Sequence, residues 1–281
     1  MGKAIATASR TKEITEKWNL HARKGYGQNF LIDPSVAARI AESVGGSGAV
    51  IEIGPGIGAL TEQLALRCDH VRAYEIDGDF LPVLADTLQD YDNVQIVHQD
   101  FLKAELDQDA EGLKKDYGAL RAAGNLPYYI TTPVLFRLFE SSAAFSVIAA
   151  MMQREVADRF AAGPNDPDYG ALSVESQYLY DTKKLLNVPR TSFYPAPNVD
   201  SAVVVFTRRD DEAPDIEREA FFTFVKACFK QRRKTLYNNL KEYYGSAEQA
   251  QNVLENAGIS AGTRAQELSV ADFLQLYRSS L

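Results

Sequence analysis

The chain has 281 residues, of which 46% are apolar and 24% charged, with two cysteines, three histidines and a net charge of −8. This is the composition of a globular protein large enough to fold without disulfide or metal staples, and no apolar run approaches the ~18 residues of a membrane span. No zinc-ligand spacing is present and the N-terminal MGKAIATASRTKEIT lacks a secretory apolar stretch, so a cytoplasmic protein without a metal is expected.

From residue 49 onward, short apolar runs predict strands over Ala49–Ile53, His70–Ile76, Val94–Gln99, Leu120–Gly124 and Val147–Met152. Between them, helical spacing predicts helices over Gly58–Arg67, Gly78–Gln89 and Thr132–Ser141. Repeated strand–helix–strand units imply a parallel sheet with right-handed crossovers, a doubly wound α/β domain. The runs Ser176–Leu186 and Ser201–Thr207 have no helix between them and read as an antiparallel pair at the sheet edge. Arg208–Asp215 reads as a polar linker. Beyond it, helices are predicted over Ile216–Lys230, Arg233–Tyr244, Ala247–Ala257 (closed by Gly258) and Val270–Ser279. The expected domains are therefore residues 1–210, α/β, and residues 211–281, all helical.

The loop Ile51-Glu52-Ile53-Gly54-Pro55-Gly56-Ile57-Gly58 joins the first of these strands to its helix. Glycines there let the backbone turn tightly and pass close to a ligand at the strand's carboxyl end. Glu52 stands directly before them, where a pyrophosphate meets repulsion and a cationic amino group does not. Glu75, 21 residues after Gly54, ends the second strand, the position from which a carboxylate takes ribose hydroxyls. That feature suits NAD and S-adenosylmethionine (SAM) alike. Asp100 closes the third strand, placed to accept from an adenine amino group. Glu52, Gly54, Gly56, Glu75 and Asp100 are the expected ligand contacts.

After the fourth strand comes Gly124-Asn125-Leu126-Pro127-Tyr128-Tyr129. A buried strand does not place Asn, Pro and Tyr together at its carboxyl end, because proline removes a ladder donor. As a site, each residue has a use. The Asn125 amide oxygen and the Leu126 carbonyl can accept the two hydrogens of an exocyclic amine. Pro127 fixes the backbone, and Tyr128 offers a face on which a base stacks, worth roughly 1–3 kcal/mol. With a sulfonium as donor, positioning supplies much of the catalysis and no tuned base is required.

Asn125–Tyr128 behind this glycine loop resembles the rRNA adenine N6-dimethyltransferases. The likeness runs along nearly the whole chain, through Gly27-Gln28-Asn29-Phe30-Leu31, Tyr169–Val174 and Val199-Asp200-Ser201-Ala202, then Gln231–Leu236 and Arg264–Val270. The last two stretches point to the bacterial small-subunit branch. The resemblance implies a Rossmann-like SAM-dependent methyltransferase domain followed by a helical RNA-contacting domain. It implies SAM as donor and two adjacent adenosines near the 3′ end of 16S rRNA as acceptors, each dimethylated, within the assembling small ribosomal subunit. A monomer is expected. By the same resemblance, Asn29, Leu31 and Asn125 join the SAM contacts, and Phe193 covers the target base opposite Tyr128. Two positions depart from the family pattern. Tyr129 replaces an asparagine, changing the pocket wall, and Asn198 replaces a lysine, removing a positive charge from an RNA-facing loop.

Charge is unevenly spread. Residues 1–39 carry seven Lys/Arg against three Asp/Glu, residues 40–189 eleven against twenty-three, and residues 190–281 twelve of each. Against that acidic body, Lys24, Lys230, Arg232, Arg233 and Lys234 are the expected RNA contacts. Two other readings compete. A nicotinamide-dependent oxidoreductase shares the glycine loop but leaves Asn125–Tyr128 without a use. A ribosome-assembly factor needs the RNA surface but gives methylation only a secondary part.

Overall fold

The apolar runs between residues 46 and 153 fold into five mutually parallel strands in the computed structural model of the protein, which describes residues 4–20, 29–210 and 216–281. In chain order the elements are α1 (Ala8–Lys17), β1 (Phe30–Leu31), α2 (Pro34–Val44), β2 (Gly46–Ile53), α3 (Ala59–Ala65) and β3 (Cys68–Glu75). Next come α4 (Leu81–Thr87), β4 (Val94–His98), α5 (Leu106–Tyr117), β5 (Leu120–Asn125), α6 (Thr131–Glu140) and β6 (Val147–Gln153). They are followed by α7 (Arg154–Ala161), α8 (Ala171–Leu179), β7 (Tyr180–Val188), β8 (Phe193–Tyr194) and β9 (Ser201–Arg208). Four helices end the chain: α9 (Arg218–Cys228), α10 (Leu236–Tyr244), α11 (Ala247–Asn256) and α12 (Val270–Arg278).

The chain divides into two units, residues 1–157 with 183–208 and residues 158–182 with 209–281. The first carries a seven-stranded sheet in the order β4-β3-β2-β5-β6-β9-β7, with β9 antiparallel to β6. From β2 the chain moves to β3 and β4 on one side, then returns to β5 and β6 on the other. This reversal makes the carboxyl end of β2 a topological switch point, where open α/β sheets hold their ligands. Register keeps the strand ends level, because Ile53 pairs with both Tyr74 and Gly124. Helices cover the sheet by burying apolar stripes. In α2, Asp33 caps the first turn, Pro34 stands at the first helical position, and Val36, Ala37, Ile40, Ala41 and Val44 are buried. Two short strands, β1 and β8, pair antiparallel with Leu31 opposite Phe193. Segments about 160 residues apart in the chain are thereby brought beside the switch point.

The second unit is helical. It includes α8, which the sequence pattern assigns to the sheet as the start of a strand over Ser176–Leu186. The strand begins only at Tyr180. Ser173, Val174, Glu175, Ser176, Tyr178 and Leu179 are all buried, so α8 shows no one-sided apolar stripe for a sequence reading to find. Tyr178 packs on Phe221 and Phe222 of α9 at ring separations of 5.2 and 5.8 Å, and Lys226 meets the buried Glu175 at 3.5 Å. These contacts place residues 158–182 with the C-terminal helices, whereas the expected division at residue 210 puts them in the α/β domain.

Candidate active site

A cleft of about 230 Å³ opens at the carboxyl ends of β2 to β5. It is lined by Asn29, Leu31, Glu52, Gly54, Gly56, Glu75, Asp100, Asn125, Leu126, Pro127, Tyr128 and Phe193, so the structure brings all the expected donor- and base-contacting residues to one place. At the turn after β2, Gly54 has φ +71° and Gly56 φ +57°, conformations that L side chains rarely adopt. A Cβ added at Gly54 would meet no atom within 4 Å, so the bare backbone there faces open space.

Glu75 ends β3 with only 5% of its surface exposed. Its two carboxylate oxygens accept from the Gly56 N–H at 3.2 Å and the Asp77 N–H at 2.9 Å. Burial raises its pKa, and those two backbone donors pull it back. Each oxygen retains a further lone pair for a ligand hydroxyl. Glu52 is more deeply set, at 1% exposed, and its Oε2 has no hydrogen-bond partner. Loss of water pushes its pKa up to about 8, helped by the nearby Glu75 and opposed by the Thr61 hydroxyl. Asp100 follows β4 and accepts from the Leu102 N–H at 3.0 Å.

Across the cleft, the Asn125 amide nitrogen donates to the Asn29 carbonyl at 3.3 Å. A backbone carbonyl only accepts, so this contact decides which way the amide is turned and leaves its oxygen for a ligand. The Leu126 N–H is held by the Met151 carbonyl at 3.0 Å. The Pro127 carbonyl accepts from the Ile130 N–H and the Thr131 hydroxyl, both at 3.1 Å, closing the turn. The Tyr128 hydroxyl lies 2.9 Å from that of Ser201, and burial raises its pKa. Ser201 is not among the residues expected at the site. Neither is Ile76, an exposed apolar side chain that lines the cleft next to Glu75. In sequence Ser201 carries no signal beyond its place in a family motif, and Ile76 reads only as the last residue of a strand.

The expected RNA contacts divide differently. Lys24 lies outside the described residues. Lys230 pairs with Glu242 at 2.7 Å, and Arg232 donates to the carbonyls of Pro167 and Tyr169. Arg233 and Lys234 are exposed and have no ion-pair partner among the described residues. Among the described residues, no cluster of His, Cys, Asp or Glu could hold a metal ion and no helix is long and apolar enough to cross a membrane.

A doubly wound sheet, a glycine turn at its switch point, acidic residues at the next two strand ends and an Asn-Leu-Pro-Tyr turn opposite define a Rossmann-like methyltransferase. Similarity to known proteins narrows the class. Residues 19–280 match the ribosomal RNA adenine dimethylase family, and the chain belongs to it. It is 47% identical over 279 residues to a ribosomal RNA small subunit methyltransferase A of Streptococcus pneumoniae serotype 2 strain D39, covering 97% of this chain and 96% of the relative. Among solved structures, the 23S rRNA methyltransferase ErmE is similar with a TM-score of 0.70 and 28% identity, over 89% of this chain and 99% of that one. A dimethyladenosine transferase from Plasmodium falciparum shares the fold with a TM-score of 0.74 at 24% identity, over 88% and 95% of the two chains.

Proposed function

We propose that this enzyme moves methyl groups from SAM to N6 of two adjacent adenosines near the 3′ end of 16S rRNA, dimethylating each, while the RNA lies in an assembling small subunit. The observation that carries the reading is a single cleft lined both by the expected donor contacts Glu52, Gly54 and Glu75 and by the Asn125–Tyr128 turn with Phe193. Identity of 47% to the small-subunit enzyme against 28% to the 23S enzyme supports small-subunit RNA as the substrate.

The residues fit SAM. Glu52 presents a buried carboxyl whose Oε2 has no hydrogen-bond partner to a cationic amino group, and bare backbone at Gly54 makes room beside it. Glu75 accepts from two ribose hydroxyls, and Asp100 accepts from the adenine amine of the donor. When bound, SAM supplies a methyl group on a sulfonium that is already a good leaving group. The protein's task is to present the nucleophile. The lone pair of adenine N6 is delocalised into the ring, which makes it a poor attacker. Accepting both hydrogens of the amine on the Asn125 oxygen and the Leu126 carbonyl in the first transfer, and the one that remains in the second, draws the nitrogen toward tetrahedral geometry and aims the lone pair. As the new C–N bond forms the S–CH3 bond breaks, leaving a neutral thioether, and the cationic nitrogen gives its proton to solvent. Tyr128 and Phe193 fix the ring plane between them. Alignment of this kind contributes several kcal/mol to a bimolecular step.

The test is to incubate the protein with labelled SAM and unmethylated small subunits and to map modified bases by mass spectrometry. Dimethyladenosine at two adjacent positions near the 3′ end of 16S rRNA is the expected result. Absence of label from 16S rRNA, or label at another base, overturns the reading.

A further inference from the structure

Each of the two aromatic residues assigned to the target base has an exposed tyrosine as its next neighbour in the chain. Tyr129 follows Tyr128 and is 57% exposed, and Tyr194 follows Phe193 and is 52% exposed. Large apolar side chains exposed to this degree are few among the described residues, and most of the others lie on scattered elements. Tyr129 lines the same cleft as Tyr128. Its backbone is held in the turn closed on the Pro127 carbonyl, which fixes where the residue stands on the cleft wall. Tyr194 lies in β8 directly opposite Phe30, a residue of the cleft wall, and alternation along the strand buries Phe193 while leaving Tyr194 exposed at the rim.

A base taken into the cleft remains joined on both sides to nucleotides that have lost their stacking partner. Restacking them on protein rings offsets part of that cost, and the π-face of any base serves. We propose that Tyr129 and Tyr194 are stacking platforms for the nucleotides flanking the reacting adenosine. The inference rests on the adenosine reading above and deepens it. With two adjacent target adenosines, one platform holds the second adenosine while the first reacts, so the enzyme favours an unpaired run of bases over a lone flipped adenine.

The experiment uses the full-length protein, unmethylated small subunits and a hairpin carrying the fluorescent base 2-aminopurine beside one target adenosine. Tyr129→Ala and Tyr194→Ala are each expected to raise KM for the RNA about tenfold, with less effect on kcat and none on SAM affinity by calorimetry. Tyr129→Phe and Tyr194→Phe restore KM, because the ring face and not the hydroxyl does the stacking. Binding of the wild-type protein or the Phe variants quenches 2-aminopurine on at least one side of the target, and the matching Ala variant abolishes that quenching. Unchanged KM and quenching in either Ala variant overturns the platform assigned to that tyrosine, and a Phe variant as impaired as its Ala counterpart overturns it too. Failure of the adenosine reading shows separately, as absence of dimethyladenosine with the wild-type protein, and the quenching still reports on the platforms.

Discussion

The hydroxyl of Ser201, fully buried at the first position of β9, lies 2.9 Å from the hydroxyl of Tyr128 in the turn after β5. The preceding residue, Asp200, accepts from the Arg190 N–H at 3.0 Å and faces the Arg154 guanidinium at 3.5 Å. The Val199-Asp200-Ser201-Ala202 stretch thus anchors Tyr128 and the segment leading to Phe193 at once. Ser201→Ala is expected to slow methyl transfer several-fold in kcat with SAM affinity unchanged, and to lower stability by about 1 kcal/mol. Tyr128→Phe should behave alike, and the double variant should be no worse than either single one. Additive losses in single-turnover rates would mean that the two hydroxyls act separately.

Asn125→Ala is expected to keep SAM affinity within a small factor and to lose most methyl transfer, since in the proposed mechanism its oxygen acts on the adenine nitrogen. Its contact with the Asn29 carbonyl is long, so its removal costs little in stability. Single-turnover rates near wild type would remove Asn125 from the positioning of N6.

Glu75→Ala removes the group that accepts from both the Gly56 and Asp77 N–H groups and that we propose accepts from the donor ribose. Loss of charge-assisted hydrogen bonds of ~1.5–3 kcal/mol predicts SAM affinity weaker by about one to two orders of magnitude. Glu75→Gln keeps an acceptor and is expected to fall between. Calorimetry giving equal affinities for all three proteins would exclude Glu75 from the site.

Glu52 supplies a pH dependence of definite sign. With its pKa pushed up to about 8 by burial, it is mostly protonated at pH 7. On the proposed placement of SAM, a cationic amino group beside Glu52 favours the ionised form, so SAM binding is expected to release a proton and to tighten as pH rises toward 8. Calorimetry at pH 7 in buffers of different ionisation enthalpy should detect that proton, and Glu52→Gln should abolish it. Stability runs the other way. Between the ordinary carboxyl value of 4.5 and about 8, the folded chain keeps a proton that the unfolded chain has released, so stability declines across this window by on the order of a few kcal/mol. Glu52→Gln is expected to melt above the wild type at pH 8, with the gap narrowing as pH falls toward 4.5.

What could be read from sequence follows from how local each signal is. The strands β2 to β6 stand out as short apolar runs between helical stretches. The residues at their carboxyl ends are positioned by chain order alone, which is why Glu75, Asp100 and Asn125 could be named. The helix α5 escapes because only Leu106, Ala110 and Leu113 are buried on a segment otherwise charged. In α1 the buried face includes Thr11 and Thr15, which carry no apolar signal. The pairing of β1 with β8 spans two residues on each side and has no periodicity to detect, yet it puts Leu31 against Phe193. The Ser201–Tyr128 contact, between residues 73 apart in the chain, is a tertiary fact of the same kind.

The basic segment from Lys230 to Lys234 reads as one RNA-binding cluster in sequence, and the side-chain geometry separates it into two kinds of residue. Lys230 is neutralised by Glu242, whose carboxyl is held below its usual range by that contact, and Arg232 is committed to backbone carbonyls. Arg233 and Lys234 are exposed and free to meet phosphate. Removing a single cation–phosphate pair flattens the slope of log K against log salt by about 0.7–0.9. Replacing Arg233 and Lys234 together with alanine should therefore reduce the salt slope of small-subunit binding by nearly two, with little change in melting temperature. Arg232→Ala should instead lower the melting temperature, because two carbonyls are deprived of their donor, and should leave the slope nearly unaltered. The same residues bear on substrate choice. Residues 40–189 carry twelve more acidic than basic side chains and repel naked RNA, so a short hairpin bearing the target adenosines reaches the cleft with few compensating contacts. On the proposed function, an immature subunit would engage more of the basic residues and so raise the local concentration of the target. Initial methylation rates at matched salt should be far higher per micromolar on subunits than on the hairpin, and the Arg233/Lys234 double variant should narrow that difference. Equal efficiency of the wild-type protein on both would show that the cleft alone selects the RNA.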